Sequence, residues 1–301
     1  MIKKLLFTTL ATLTLANGSA VSYVNSIRAK CGLVSLSANS SLSLAAKKHA
    51  TYVNKNREYS HYESAGVPYY FASTPWNRIV KAGYKTKVVV ENITFAERNY
   101  KESVDKIMAT VYHRLAFLYN QIDSIGYARV GSIFVYDMSN SKIATLCNKH
   151  YKNAASIIDS VCPNSSDIIP ANLFNSSINA MKRKSKALII YPYANQKGVP
   201  TLGEVETPKF LYRRFGHPIS VTFNSGYYKS VKLLKFKLFL DAKEVACKIV
   251  SYENDIHNKI RKNTFILAPN ARLKRHSTYK VTLKAKANSK VISKVWSFTT
   301  R

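Results

Sequence analysis

Leu42-Ser43-Leu44-Ala45-Ala46-Lys47-Lys48-His49-Ala50-Thr51-Tyr52-Val53, followed shortly by Ser60-His61-Tyr62-Glu63, is the stretch on which the fold class turns. Leu42, Ala45, Ala46, Ala50 and Val53 recur at three- and four-residue spacing, so they lie on one stripe of a helix that packs against a neighbouring layer. His49 shares that stripe and reads as a core histidine with satisfied partners. Ser40 or Ser41 is placed to cap the helix. Further on, Thr74, Pro75 and Gly83 bracket a short helix, with a capping hydroxyl, proline at the first position and glycine past the end. Trp76, Ile79 and Val80 are its expected buried side. A longer helix is expected from about Lys101 to Leu118, with Val104, Ile107, Met108, Val111 and Leu115 on its packed stripe. Strands are expected over Ser124–Val130, Ser132–Asp137 and Lys142–Cys147. Helices first and strands after give an α+β layered domain.

The texture changes towards the C-terminus. Residues 148–185 are rich in Asn and Ser, contain Pro163 and Pro170, and end in the basic run Lys182-Arg183-Lys184-Ser185-Lys186, which reads as a linker. From Lys186 onward seven short apolar segments recur between turn residues. They are Ala187–Tyr191, Pro218–Phe223, Val231–Leu240, Val245–Tyr252, Thr264–Leu267, Thr278–Ala285 and Val291–Thr299. Short strands without helical periodicity predict an all-β sandwich. The expected organisation is a leader over 1–20, a first domain over 21–150, a linker over 151–185 and a β-sandwich over 186–301.

Bulk properties narrow the function. The chain has 301 residues, a natural length for two domains, and its 46% hydrophobic content excludes global disorder. Lys3 and Lys4, the apolar run Leu5–Leu15 and the small residues Gly18-Ser19-Ala20 have the form of a cleaved secretory signal, and the run is too short to span a bilayer. The expected location is therefore secreted or periplasmic, with no transmembrane anchor. Four cysteines, Cys31, Cys147, Cys162 and Cys247, leave three pairings open; a local Cys147–Cys162 loop is one option, and buried free thiols are another for Cys31 and Cys247. The net charge of +30 points to an anionic partner, which for an exported chain means envelope lipid or polysaccharide rather than a specific nucleic acid. The lysines are spread along the chain, and the plain alternative is a solvated basic surface. Phosphate-binding glycine loops, paired metal-binding cysteines and a nucleophile elbow are all missing from the sequence.

Three polar motifs carry the chemistry: Ser60-His61-Tyr62-Glu63, Glu91-Asn92-Ile93 and Tyr112-His113-Arg114. Two imidazoles and a carboxylate can ligate a divalent metal or move a proton. On a continuous helix His113 lies about 180° from Val104, facing a cleft or water rather than the core.

In order along the chain, Val24-Asn25-Ser26-Ile27-Arg28, the alanine-rich helix, Ser60-His61-Tyr62, Thr74-Pro75-Trp76-Asn77-Arg78, Ala82-Gly83-Tyr84, Glu91-Asn92-Ile93, Tyr112-His113-Arg114 and Ile125-Gly126 resemble a bacterial CAP domain. The family is that of cysteine-rich secretory proteins, antigen five and pathogenesis-related proteins. The resemblance implies an α-β-α sandwich. Trp296-Ser297-Phe298-Thr299-Thr300 is similar to the last strand of bacterial immunoglobulin-like domains. The CAP resemblance also implies a central cleft lined by His61, Glu91 and His113, in some members with zinc or a similar divalent metal. Two departures stand out: Val90 replaces the glycine before the glutamate, and the family's second glutamate falls near Thr110. With three ligands, a metal needs water or Glu63 to complete its shell. The expected function is non-catalytic binding of a small ligand or divalent ion and of anionic envelope components. The rival is a metal- or histidine-dependent hydrolase with His61 and His113 as acid and base and Glu91 orienting one of them.

Overall fold

A computed structural model describes residues 20–152, 154–211 and 214–301. The expected leader therefore lies outside the described residues except for Ala20. In chain order the elements are a helix over residues 20–31 (α1), then β1 (Ser37–Ala38), α2 (Ser40–Asn56), α3 (Pro75–Lys81), β2 (Val89–Phe95), α4 (Tyr100–Ala109), α5 (Tyr112–Phe117), β3 (Ser124–Val130), β4 (Ile133–Ser139), α6 (Ser141–Cys147), β5 (Ile157–Ile158), β6 (Ile169–Pro170) and α7 (Ala171–Arg183). After these come β7 (Leu188–Tyr191), β8 (Gln196–Val199), β9 (Ile219–Phe223), β10 (Val231–Leu240), β11 (Lys243–Val245), β12 (Cys247–Ser251), β13 (Thr264–Pro269), β14 (Thr278–Ala287) and β15 (Lys290–Thr300). The chain divides into two compact units that interleave in sequence. The first takes residues up to Ile27, Ser35–Val104 and Gln121–Ile178; the second takes Arg28–Val34, Asp105–Asn120 and Asn179–Arg301.

The first unit is built on a sheet of order β1-β3-β4-β2, with β4 antiparallel to both neighbours. Helix α2 lies on one face, where Ala46, Ala50, Tyr52 and Val53 meet Ile93, Ala128, Ile133 and Val135 in a dry core. Gly126 on β3 permits the close approach: a Cβ there would sit 2.1 Å from the carbonyl carbon of Leu42. Tyr136 and Thr94 bond Ser103 of α4 from the sheet. The helical stripe read from sequence is buried as expected, His49 included. Its cap is Asn39 rather than Ser40 or Ser41, accepting from the Leu42 N–H. Helix α3 has the expected Thr74 cap and Pro75 start. Its buried side is Ile79 with Arg78, however, and Trp76 is exposed.

Two further expectations are corrected. Lys142–Cys147 is helical, not a strand. Asn140 caps it by accepting from the Ile143 N–H, and Ile143, Leu146 and Cys147 are buried at helical spacing. The long helix expected to reach Leu118 breaks at Thr110–Val111, where α4 ends and α5 begins. There the Glu206 carboxylate accepts the N–H groups of Val111, Tyr112 and His113, satisfying donors that a continuous helix would have used internally. Cys147 and Cys162 form a disulfide inside a small core with Ile143, Leu146 and Ile169, while Cys31 and Cys247 are free. Burial pushes both free thiols up to about 12, so they are unreactive near neutrality. The stretch 151–185 holds Cys162 of this disulfide, the β5–β6 pair and the thirteen-residue α7.

The second unit contains two sheets, β11-β10-β14-β15-β8 and β12-β13-β9-β7. They share a core in which Ile219, Val221 and Phe223 meet Phe236, Val281, Trp296 and Phe298. All seven apolar segments read from the sequence are strands. Strand β8 and all of β11 but Val245 lie outside those segments because they are short and polar, and β8 contains Gly198 at φ +70°. Among the described residues no helix is long and apolar enough to cross a membrane.

Candidate functional site

The chemistry in the first unit gathers where α2, α3, the 57–74 loop and β2 meet, around a fully buried arginine. Arg78 donates through Nη2 to Glu91 Oε2 at 2.8 Å and to the His61 carbonyl at 2.9 Å. Its Nε lies 3.7 Å from Glu63 Oε1. Glu63 is itself buried and accepts from His49 Nδ1 at 2.9 Å and from the Phe71 and Ala72 N–H groups. One buried cation thus lies between two buried carboxylates, the arrangement that makes burying all three tolerable.

His61 sits at the edge of this network. Its Nδ1 is 2.7 Å from Glu91 Oε1, and its side chain is 36% exposed while that of Glu91 is 2% exposed. Since an ionised carboxylate only accepts, a neutral His61 carries its hydrogen on Nδ1 and presents Nε2 as an acceptor. Burial alone would raise Glu91, but the hydrogen bond from His61 and the charges of His49, Arg78 and His61 outweigh it and hold the carboxyl down at about 2. His49, read as a core histidine, is one: it is fully buried, bonded to Glu63 and to the Ser60 carbonyl, with Nε2 3.8 Å from Glu91.

Asp137 is the member of this cluster that motif reading missed. It lies directly across from Glu91 on β4 and is fully buried. Neither oxygen receives a hydrogen bond from the described residues. Burial, and then the neighbouring Glu91, push its carboxyl well above the ordinary range. The signal was present as one acid inside the apolar run Ile133–Met138, every position of which is buried. Arg78 appeared in a quoted motif but was not identified as the hub.

His113 belongs to the second unit. Its Nδ1 lies 2.9 Å from Glu206 Oε2, its side chain is 21% exposed, and Glu206 also accepts the three backbone N–H groups at the start of α5. The next residue, Arg114, is fully buried and donates to the Met108 and Pro218 carbonyls, each at 2.7 Å, with its guanidinium 4.6 Å from the Tyr191 ring centre. Burial lowers Arg114 to about 10 and, with the arginine's charge, lowers His217 well below its usual value. His217 is therefore the neutral acceptor at 3.3 Å from Arg114 Nη2. Glu206 carries no motif signal, being one of two acids in the stretch Gly203-Glu204-Val205-Glu206-Thr207-Pro208.

The structure thus brings His61 and Glu91 into contact and pairs His113 with Glu206. Among the described residues no three His, Cys, Asp or Glu side chains are grouped to hold a metal ion. Both Glu91 oxygens are already engaged, one by His61 and the other by the fixed cation of Arg78. As arranged, these side chains do not fit a divalent ion. What they offer is an anchored imidazole on a rigid, charge-compensated base.

No curated protein matches the sequence. Among solved structures, an extracellular protein containing an SCP domain from Bacillus anthracis aligns at 16% identity and a TM-score of 0.39, over 42% of this chain and 41% of that one. An outer surface protein from Borrelia burgdorferi aligns at 23% identity and a TM-score of 0.36, over 41% of this chain and 90% of that one. The profile of the cysteine-rich secretory protein family, CAP, matches residues 21–148. The matched segment carries His61, Glu91 and His113 in the expected order and is similar to that family.

Proposed function

We propose that the protein is an exported binding protein, in which the CAP domain holds a small ligand at His61 without turning it over, an immunoglobulin-like sandwich follows, and the basic surface meets anionic envelope material. The observation that carries this reading is the saturation of the buried charges. Arg78 pairs with both Glu63 and Glu91, and His49 bonds Glu63 beside them, so the buried carboxylates have partners within the protein, and the network reaches the surface at the partly exposed His61. Exposed Tyr59 and Tyr62 flank that imidazole in sequence, offering apolar faces beside a hydrogen-bonding nitrogen. The His61–Glu91 contact favours a second reading, the hydrolase, because a carboxylate that fixes an imidazole's tautomer is how a general base is prepared.

The test uses the purified full-length chain after chelator treatment. Saturation-transfer NMR against a panel of mono- and disaccharides and aryl carboxylates should show ligands whose signal is lost in His61→Ala, with the melting temperature nearly unchanged. Zinc titrated by calorimetry should give no His61-dependent heat. Zinc binding abolished by His61→Ala would replace the metal-free reading, and turnover of a bound ligand that disappears with His61→Ala would establish the hydrolase.

A further inference from the structure

The lysines look scattered in the sequence, yet the second unit gathers six of them on one sheet face. Along β10 the outward side chains are Lys232, Lys235 and Lys237; along β14 they are Lys280, Lys284 and Lys286, alternating with the buried Tyr279, Val281, Leu283 and Ala285. The register sets them side by side, with Lys232 opposite Lys286 and Lys235 opposite Lys284, the bulge after Leu233 keeping Lys235 on the outer face. Like charges directly across a sheet destabilise it. Strands β10, β14 and β15 contain no acidic residue to relieve them. Glu244 on β11 bonds only Lys237, at 2.6 Å. An arrangement that works against folding and has a carboxylate partner for only Lys237 calls for an external counter-charge.

The shape of the band says what kind. It is two strands wide and runs along them, so its charges are spaced at roughly 5 Å across and roughly 7 Å along. Neighbouring β15 presents Val291, Ser293, Val295 and Ser297 instead of charge, opposite Lys286, Lys284, Thr282 and Lys280 respectively. A narrow stripe beside an uncharged, hydroxyl-bearing column fits a chain with regularly repeated anions better than a plane of headgroups. The aromatic ring within the band, Phe239, lies beneath Lys235 Nζ and Lys280 Nζ at 6.0 and 5.8 Å, so it is not offered as a platform for stacking nucleobases.

We propose that the outer face of β10 and β14 is a docking surface for a linear anionic polysaccharide, with the six lysines meeting its carboxylates or sulfates and the serines of β15 its hydroxyls. This rests on the reading that the protein meets anionic envelope material, and it names the place and the class. The probe is polygalacturonate, immobilised, with neutral dextran, oligo(dT) and phosphatidylglycerol vesicles as comparisons. The full-length chain should bind polygalacturonate with an affinity that falls as salt rises, and should ignore dextran. Substituting Lys232, Lys235, Lys284 and Lys286 together by Gln should weaken it by about tenfold or more, whereas Gln at the exposed Lys47, Lys85, Lys142 and Lys149 of the first unit, an equal loss of charge, should cost less than about threefold. The β10/β14 variant should also melt no lower than the parent, since it removes repulsion, so lost binding is not lost folding. Equal losses in the two variants would overturn the docking surface while leaving an anionic partner intact. Tighter β10/β14-dependent binding to oligo(dT) or vesicles would overturn the polysaccharide. A parent that binds none of the anionic probes would remove the broader reading as well.

Discussion

Replacing Glu91 by Gln tests the electrostatic account of the first unit most directly. In the folded chain the Glu91 carboxyl is held at about 2 against an ordinary 4.5. At roughly 1.4 kcal/mol per pH unit, that depression corresponds to about 3 kcal/mol of stability carried by the ionised form. The sign follows from the direction. A carboxyl whose folded value is depressed contributes fully above its unfolded value and loses that contribution as pH falls towards the folded value. Glu91→Gln should therefore cost about 3 kcal/mol at pH 7, or about 6–12 °C in melting temperature for a unit of this size, and the gap should close between about pH 4.5 and 2. Gln keeps the size and one acceptor but cannot balance Arg78, so the loss is electrostatic rather than steric. Making the same change in an Asp137→Asn background fixes the cross-strand neighbour in a proton-bearing form, so that Asp137 cannot ionise in place of Glu91. Urea unfolding followed by circular dichroism at a series of pH values reads the gap. A gap that stays the same from pH 7 to pH 3 would mean that packing, not charge, sets it, and the network reading would fail.

Asp137→Asn alone should have the opposite sign. A carboxyl raised by burial and by Glu91 stabilises the fold below its unfolded value and loses that contribution as pH rises, so the Asn variant should match the parent near pH 3 and exceed it at pH 7; a loss above about 1 kcal/mol at pH 7 would refute the upward shift. Arg78→Met, which leaves Glu63 and Glu91 buried without a cation, should cost about 3–5 kcal/mol, read by the same unfolding assay, and more than Glu91→Gln. Trypsin should cut at the exposed Lys152, inside the Cys147–Cys162 loop; the two fragments should stay joined without reductant and separate with it, and separation without reductant would refute the disulfide.

What the sequence made legible follows from how local each cause is. The α2 stripe, the Thr74–Pro75 helix start and the seven C-terminal strands are set by periodicity and turn chemistry within a few residues, and all of them appear. The misreadings share a different cause. Lys142–Cys147 alternates well enough for a strand, but Asn140 supplies a cap whose effect is seen only once Ile143, Leu146 and Cys147 are buried together. The break at Thr110–Val111 depends on Glu206, 95 residues from Val111, and no pattern in the helix announces it. Counting along an unbroken helix puts His113 off the packed stripe; its exposure of 21% is set instead by the short α5 and its bond to Glu206.

The candidate site divides along the same line. His61 and Glu91 were found through motif order, since each stands in a recognisable polar stretch. Their chemistry is decided by residues that were invisible or misread: Arg78, which replaces Trp76 on the buried side of α3, and Asp137, which register alone sets opposite Glu91. Two imidazoles and a carboxylate read from sequence suggest a metal centre because a list of ligands carries no account of what neutralises them. The structure supplies that account in the first unit as a cation bonded to the carboxylate at 2.8 Å. A buried carboxylate with its own arginine behaves as an anchor for the imidazole it holds.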